Sequence, residues 1–324
     1  MKLRVKCLEN AHNPNLTNFY EDNIFIYLLK QKYDVEIVEN DPHILLYPLS
    51  HIGHLNYKNC VKIFFTEESG FWNKNEFYKY YPQDRFFYAA YDADLILSNY
   101  YIDNKDNLRF PSYLWYYYQM TIDGRLPRFD YFFKERLVTD EKLFDRKFCV
   151  FIHQHKNPNM FRMKFLEKLN KYKTVDVWNS DQSKYSETGN SFIKTEFLKN
   201  NYKFCFSMEH NNGDMDFHAP GVFYHDKGYT TEKIIEPFCS NTIPLYWGNH
   251  YIGKEINTNM FINWHDYNND EKMIEKILEL DSNKDKYMEA LNGAVFKEDY
   301  VNQIFIDFLS KVEVKLKEKF GDLW

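Results

Sequence analysis

The sequence lacks the excess of basic charge that proteins binding nucleic acids carry. Its 324 residues include 41 Lys and Arg against 47 Asp and Glu, which gives a formal net charge of -6. Because binding to a phosphate backbone depends on clustered cations, this balance argues against a nucleic-acid partner. A chain of this length can instead form two domains, each with a sizeable core.

Cysteine is also scarce, and the cysteines that occur are not arranged as a site. The five residues are scattered along the chain without metal-ligand spacing. Several lie inside apolar runs such as KFCVF and KFCFS. An odd, scattered set is typical of reduced, buried thiols in a cytosolic protein rather than of a disulfide framework.

Long apolar segments are missing too. MKLRVKCLEN is followed at once by the polar AHNPN, so the sequence predicts neither a signal peptide nor a membrane span. We therefore expect a soluble, cytoplasmic protein, unless an anchor has been removed. The terminal KVEVKLKEKF has a basic amphipathic face, which leaves peripheral association with the cytoplasmic face of a membrane open. A helix that packs back on the protein is the favoured interpretation.

Apolar runs of strand length alternate with longer helical patterns. In the first half KLRVKCL, VEIV, ILLYPL, VKIFF and ADLILSN predict strands, and residues 21–32 predict a helix. This alternation is typical of parallel βαβ units, and it begins again after a polar segment at residues 139–147. We predict an α/β protein with two Rossmann-like domains facing a cleft, at residues 1–140 and 141–300. A C-terminal helix at residues 301–324 is expected to cross back towards the first domain.

The stretch YTTEKIIEPFCSNTIPLYWGN carries the clearest chemistry. Thr230 and Thr231 suit the N-cap of a helix, whose free N–H groups form a seat for phosphate. Lys233 adds a positive charge there, whereas Glu232 would repel phosphate but suits the vicinal hydroxyls of a ribose. The alternative is a capping glutamate beside a solvated lysine. The short helix and the buried strand after it favour the nucleotide site, since ligands of α/β sheets bind at the carboxyl ends of strands.

The stretch YKFCFSME…GYTTEKIIEPFCSNTIPLYWGN resembles the donor-binding motif of the α-1,3-fucosyltransferase family, glycosyltransferase family 10. The resemblance implies a GT-B fold, a GDP-fucose donor and inverting transfer to an oligosaccharide acceptor. It assigns donor binding to five residues: Arg162, Glu209, Tyr229, Glu232 and Lys233. Two features depart from the family pattern: His210 replaces the Asn of its Phe-Glu-Asn, and the loop at residues 211–228 is longer than in bacterial members. Because of these two departures, the donor could also be another nucleotide sugar.

An inverting transfer also needs a base for the acceptor hydroxyl. In KIFFTEESGFW a buried strand ends in two carboxylates, and the family resemblance points to Glu68, with Glu67 in reserve. The alternative is a pair of solvated charges at the end of a strand. The second class of function that the sequence allows is a catalytically idle nucleotide-sugar or glycan-binding module. A base at Glu68 would distinguish an enzyme from such a module.

Signals for a metal are weak. The triplets Asp92-Ala-Asp94 and Asp214-Met-Asp216 have the DxD form of metal-dependent glycosyltransferases, but two such triplets are expected by chance in so acidic a chain. Arg162 and Lys233 would neutralise a diphosphate without a metal. We therefore expect no essential cofactor, with stimulation by a divalent cation left open. The acceptor is expected in cell-surface polysaccharide or glycan synthesis, and the sequence predicts neither the linkage nor the oligomeric state.

Overall fold

The computed structural model describes residues 2–8, 22–48, 53–66, 92–101, 105–153, 160–179, 191–209, 228–321 and 324. The chain divides into two compact units. The first contains Met1–Gln119, Met215–Tyr229 and Asp299–Trp324, and the second contains Met120–Asp214 and Thr230–Glu298. Residues 120–140, which the sequence pattern grouped with the N-terminal domain, therefore make most of their contacts within the second unit.

The first unit contains a parallel sheet. Among the described residues it has six strands in the order β2-β1-β3-β4-β5-β6. They are β1 (Leu3–Cys7), β2 (Val35–Ile37), β3 (Ile44–Pro48), β4 (Val61–Phe65), β5 (Leu95–Ser98) and β6 (Asn107–Arg109). The central strands are nearly continuous apolar runs, because a parallel sheet is covered on both faces. Two of the unit's helices are α1 (Ile24–Lys30) and α2 (Ser112–Ile122).

The last helix, α9 (Glu298–Phe320), packs within the first unit. Its buried face follows the helical period over Val301, Ile304, Phe305, Phe308, Val312 and Leu316. The ring of Phe308 lies 5.6 Å from that of Phe25 on α1. Lys315 donates to Asp106 at 2.7 Å, just before β6. The predicted return of the C-terminal helix to the N-terminal unit is therefore present.

The second unit contains another parallel sheet, with five strands among the described residues in the order β11-β10-β9-β7-β8. They are β7 (Lys147–His153), β8 (Val175–Asn179), β9 (Tyr202–Met208), β10 (Ile243–Trp247) and β11 (Ile262–Asn263). Its helices are α3 (Met160–Asn170), α4 (Ser191–Asn201), α5 (Glu232–Cys239), α6 (Trp264–Tyr267), α7 (Asp270–Ser282) and α8 (Lys284–Ala290). Two parallel sheets in an α/β fold confirm the predicted fold class.

Arg146, just before β7, joins the C-terminal ends of two helices. Its guanidinium donates to the carbonyl of Lys199 in α4 at 3.0 Å. It also donates to the carbonyls of Ser240 and Asn241, which follow α5, at 3.2 and 2.5 Å, and to the Tyr287 hydroxyl at 2.8 Å. A cation at these positions complements the negative ends of both helix dipoles. The position of α5 is thus fixed from its C-terminal end.

All five cysteines are free thiols, and all except Cys239 are buried. Burial raises the pKa of Cys205 to about 12, so this thiol stays protonated at neutral pH. None of the described helices is both long and apolar enough to span a bilayer.

Candidate nucleotide-binding site

The candidate site lies in the second unit, where two neighbouring strands end and a helix begins. β9 ends at Met208 and β10 at Trp247, and these two residues pair in the parallel register. The backbone N–H of Glu209 then donates to the carbonyl of Trp247 at 2.8 Å. α5 begins at Glu232, directly after the N-cap residue Thr231. The site therefore occupies the carboxyl edge of a parallel sheet, the usual ligand position in α/β folds.

The carboxylate of Glu209 is the buried centre of this arrangement. It is 0% exposed. Thr231 donates to it twice, from its backbone N–H at 2.8 Å and from its hydroxyl at 2.8 Å. The Thr231 hydroxyl thus binds a residue 22 positions earlier instead of capping its own helix. The start of α5 is thereby attached to the end of β9.

Lys233 lies in the first turn of α5 and joins three acceptors. Its ammonium donates to the Thr231 hydroxyl at 2.9 Å and to Glu232 at 3.2 Å, and lies 3.4 Å from Glu209. Its side chain keeps 23% exposure, and that of Glu232 keeps 25%. A cation and a carboxylate thus remain accessible at the start of a helix, where the first backbone N–H groups have no partner within the helix itself.

The charges of the site are strongly coupled. Burial raises the pKa of Glu209 above its usual value, while Lys233 acts against that rise. Burial acts in the same direction on Glu232, but Lys233 and Lys194 outweigh it and lower its pKa to about 2. The pKa of Lys233 is raised: burial lowers it, but the carboxylates of Glu232 and Glu209 outweigh that effect. Glu232 and Lys233 are both charged at neutral pH.

Arg162 joins the same group from helix α3. It is 4% exposed, and its Nε donates to the backbone carbonyl of Glu209 at 3.2 Å. Its charge acts on Lys233, whose pKa it lowers as a minor contribution. Arg162, Glu209, Glu232 and Lys233, which the sequence analysis selected on separate segments, therefore lie close together.

Other residues of the site were not selected from the sequence. Gly248 follows β10, and a Cβ there would lie 2.7 Å from both Glu209 Cγ and the Tyr246 hydroxyl, so only glycine fits without a shift. The amide of Asn249 donates to the Thr230 hydroxyl at 3.2 Å. The sequence signal was the WGN that ends TIPLYWGN, since a glycine directly after a strand often marks a close backbone approach.

Lys194 on α4 is a further residue of the site that the sequence did not indicate. It forms a close ion pair with Glu236, whose side chain is 3% exposed. Glu236 lies one helical turn after Glu232 on α5, so the two carboxylates share a face and repel each other. The positive charge of Lys194 also acts directly on Glu232 and lowers the pKa of that carboxyl group.

Tyr229 and Glu68 are the two remaining predicted site residues. Tyr229 is 9% exposed and precedes the Thr230–Thr231 pair. Glu68 and its neighbour Glu67 lie outside the described residues. The strand before them, β4, ends at Phe65, as the apolar run predicted. Their proposed chemistry stays a prediction.

The described part of the chain contains no group of three or more His, Cys, Asp or Glu side chains placed to hold a metal ion. The first DxD triplet, Asp92-Ala-Asp94, is engaged by Lys62. Its ammonium forms a close ion pair with Asp92, and its backbone N–H donates to Asp94 at 2.8 Å. The second triplet, at residues 214–216, lies outside the described residues.

The fold is that of GT-B glycosyltransferases. The structure is similar to a crystal structure of an α1,3-fucosyltransferase with GDP, with a TM-score of 0.66 and 22% identity over 98% of this chain and 90% of the other. It is likewise similar to an α1,3-fucosyltransferase with GDP-fucose, with a TM-score of 0.64 and 21% identity over the same shares of both chains.

Residues 144–300 match the model of the glycosyltransferase family 10 (fucosyltransferase) C-terminal domain. This matched segment, just under half of the chain, is similar to the C-terminal domain of that family. The chain is 27% identical over 301 residues to the alpha-(1,3)-fucosyltransferase FucT of Helicobacter pylori, covering 84% of this chain and 56% of that protein. It is 27% identical over 187 residues to the putative fucosyltransferase R654 of Acanthamoeba polyphaga mimivirus, covering 55% of this chain and 28% of that protein. The chain thus spans about a quarter to half the length of these relatives.

Proposed function

We propose that this protein transfers fucose from GDP-fucose to a hydroxyl of an acceptor glycan, with inversion at the anomeric carbon. The observation that supports it most is the grouping of Arg162, Glu232 and Lys233 around Glu209 at the start of α5. This grouping offers cations and helix N–H groups for a diphosphate beside a carboxylate for ribose hydroxyls.

Each residue then has a distinct role in donor binding. Lys233 and Arg162 neutralise the diphosphate, Glu232 accepts from the ribose hydroxyls, and Tyr229 contacts the nucleotide. Glu209 acts through Thr231 and Lys233, because its carboxylate is fully buried against them. In the transfer, the acceptor oxygen forms a bond to the anomeric carbon while the bond from that carbon to the phosphate oxygen breaks. Positive charge at the diphosphate stabilises the leaving GDP.

The acceptor's proton goes to Glu68 in this proposal. Its strand-end position after β4 supports the assignment, together with the family resemblance of the segment around it. Replacing Glu68 by Gln keeps the shape and removes the base, so turnover should fall about 10²–10⁴-fold while GDP affinity stays unchanged. If Glu67→Gln loses turnover instead, the base is the neighbouring residue. Two fully active variants would refute the acid–base role of this segment.

The donor assignment is tested by calorimetry with GDP. Lys233→Ala and Arg162→Ala should each weaken GDP binding about 10- to 100-fold, because each removes a charged hydrogen-bond partner worth about 1.5–3 kcal/mol. Lys272→Ala, an exposed lysine on α7, is the matched control and should bind GDP normally. Unchanged affinity in both site variants would refute the assignment.

Two alternatives are separated by the choice of substrate. A panel of nucleotide sugars in a thermal-shift assay would identify another donor, since a ligand at a hundred times its dissociation constant stabilises a protein by about 2.7 kcal/mol. A non-catalytic binding module would bind the donor through Glu232 and Lys233 but neither transfer nor hydrolyse it. The same assay with and without divalent cations tests for a stimulatory metal.

A further inference from the structure

Gly228 occupies a crowded place directly before the candidate site. Its backbone has φ +100°, a left-handed conformation that side chains rarely adopt. A Cβ there would lie 2.4 Å from Arg109 Nη1, 2.6 Å from the Asn99 carbonyl and 2.8 Å from the Tyr101 ring. Only glycine therefore fits at position 228 without displacing the neighbouring atoms.

Arg109 holds that point of the chain. It is the last residue of β6 and is 8% exposed. Its Nη1 donates to the Gly228 carbonyl at 3.0 Å, and its guanidinium carbon lies 3.9 Å from the centre of the Tyr101 ring. The ring contact restricts the guanidinium, and the hydrogen bond from it holds the Gly228 carbonyl beside β6.

The next residues are fixed in turn. The Thr230 hydroxyl accepts from Asn249 at 3.2 Å, and Thr231 donates to Glu209 from its N–H and its hydroxyl. Tyr229 is therefore placed between two anchored points, Gly228 and Thr230.

We infer that Arg109 is a positioning residue for nucleotide binding, because it fixes Gly228 and thereby holds the neighbouring Tyr229 in place before the ligand arrives. The inference rests on the proposed function. It concerns affinity more than the chemical step, since pre-ordering a binding segment removes an entropic cost of association.

The experiment compares GDP affinity and transfer kinetics in Arg109→Lys, Arg109→Ala and Gly228→Ala. Each variant should weaken GDP binding and raise the donor KM by about 10-fold or more, with kcat at saturating donor within about twofold of the wild type. Added guanidinium ion at low concentration should restore affinity in Arg109→Ala, and potassium at the same ionic strength should not. A role in folding alone would lower the active fraction and hence kcat, and would leave KM unchanged.

The chain offers matched controls for both kinds of change. Gly124 also has a left-handed backbone, with φ +78°, but no atom lies within 4 Å of its Cβ position. Gly124→Ala therefore repeats the backbone cost of Gly228→Ala without the crowding and should leave GDP affinity unchanged. Arg128→Lys is the control for arginine, since that side chain is 61% exposed.

The outcomes separate this inference from the function on which it rests. If the wild type binds GDP and Lys233→Ala does not, but the Arg109 variants bind as tightly as the wild type, only the role of Arg109 is refuted. A loss in kcat with unchanged KM would also overturn it. If the wild type does not bind GDP at all, the proposed function fails and the inference falls with it.

Discussion

Replacing Thr231 by Val tests the centre of the candidate site, because it removes one hydroxyl and leaves the volume unchanged. That hydroxyl donates to the buried Glu209 carboxylate at 2.8 Å and accepts from Lys233 at 2.9 Å. The bond to the carboxylate is charge-assisted, and its loss costs about 1.5–3 kcal/mol. The bond from Lys233 adds little, since water can replace it at a side chain that is 23% exposed.

This cost converts to a shift in unfolding temperature. A domain of about 150–250 residues loses roughly 2–4 °C for each kcal/mol, so T231V should unfold about 3–12 °C below the wild type at neutral pH. Differential scanning calorimetry measures the shift. Thr231→Ser keeps the hydroxyl and should lose far less, and Thr258→Val, at an exposed position, should change nothing.

The loss of stability in T231V should depend on pH, and the direction of this dependence follows from the pKa of Glu209. Burial raises the pKa of Glu209. A carboxyl group with a raised pKa in the folded state stabilises the fold below its unfolded pKa, and that contribution is lost as the pH rises through the folded value. Removing a donor raises the pKa further, so the deficit of T231V should shrink towards pH 4, where more of Glu209 is protonated. If T231V and T231S unfold at the wild-type temperature across this range, the Thr231–Glu209 bond is not a stabilising contact.

Two further predictions concern other contacts. Gly248→Ala should weaken GDP binding at least 10-fold by calorimetry, because its Cβ would lie 2.7 Å from Glu209 Cγ and displace that carboxylate; normal affinity would show that Glu209 does not fix the site. Tyr202→Phe should make stability less dependent on pH below about 4. The Tyr202 hydroxyl, 2.6 Å from Asp176, lowers the pKa of that carboxyl group, so the stability that it contributes is present above the unfolded pKa and lost as the pH falls through the folded one. Acid titration followed by circular dichroism should show a smaller loss in the variant, and an identical curve would contradict this cause.

The strands that the sequence predicted are mostly long apolar runs, together with the short edge strand β2, in which Val35 and Ile37 flank a charged residue. β3, β4, β9 and β10 are buried along nearly their whole length. Each therefore consists of a nearly continuous apolar run, which is visible in the sequence. β6 and β11 were missed, because Asn-Leu-Arg and Ile-Asn are too short and too polar to show a period. Both lie at sheet edges, where pairing depends on the neighbouring strand rather than on the strand's own residues.

The tyrosine-rich run YLWYYY at residues 113–118 shows no helical period in the sequence. It forms helix α2, in which Tyr113 and Tyr117 are fully buried. A helix that is apolar on every side has no amphipathic period to identify it, so the sequence indicated burial without indicating a helix. These two side chains are core residues.

The sequence predicted which residues belong to the candidate site, but not which contacts those residues make. Thr231 was expected to cap its own helix, which is the local preference of a threonine at that position. Its hydroxyl instead binds Glu209, a residue far away in sequence, because a buried carboxylate without donors would be costly. Lys194 was not anticipated either, since its effect on Glu232 passes through space from another helix.

The hydrogen bonds of Arg146 at the ends of α4 and α5 persist in acid, whereas the ion pairs of the second unit weaken there. The partners of Arg146 described above are carbonyl oxygens and the Tyr287 hydroxyl, whose pKa burial raises above its usual value, so none of them changes charge in acid. The pair of Lys147 with Asp176, 3.0 Å apart, depends on a carboxylate whose pKa the Tyr202 hydroxyl lowers, and it weakens as the pH falls through that value. As the pH falls, the unit therefore loses its carboxylate contacts first, while the C-terminal ends of α4 and α5 stay attached to each other. Amide hydrogen exchange should consequently stay slow at the ends of α4 and α5 as the pH falls, while it becomes faster around Asp176.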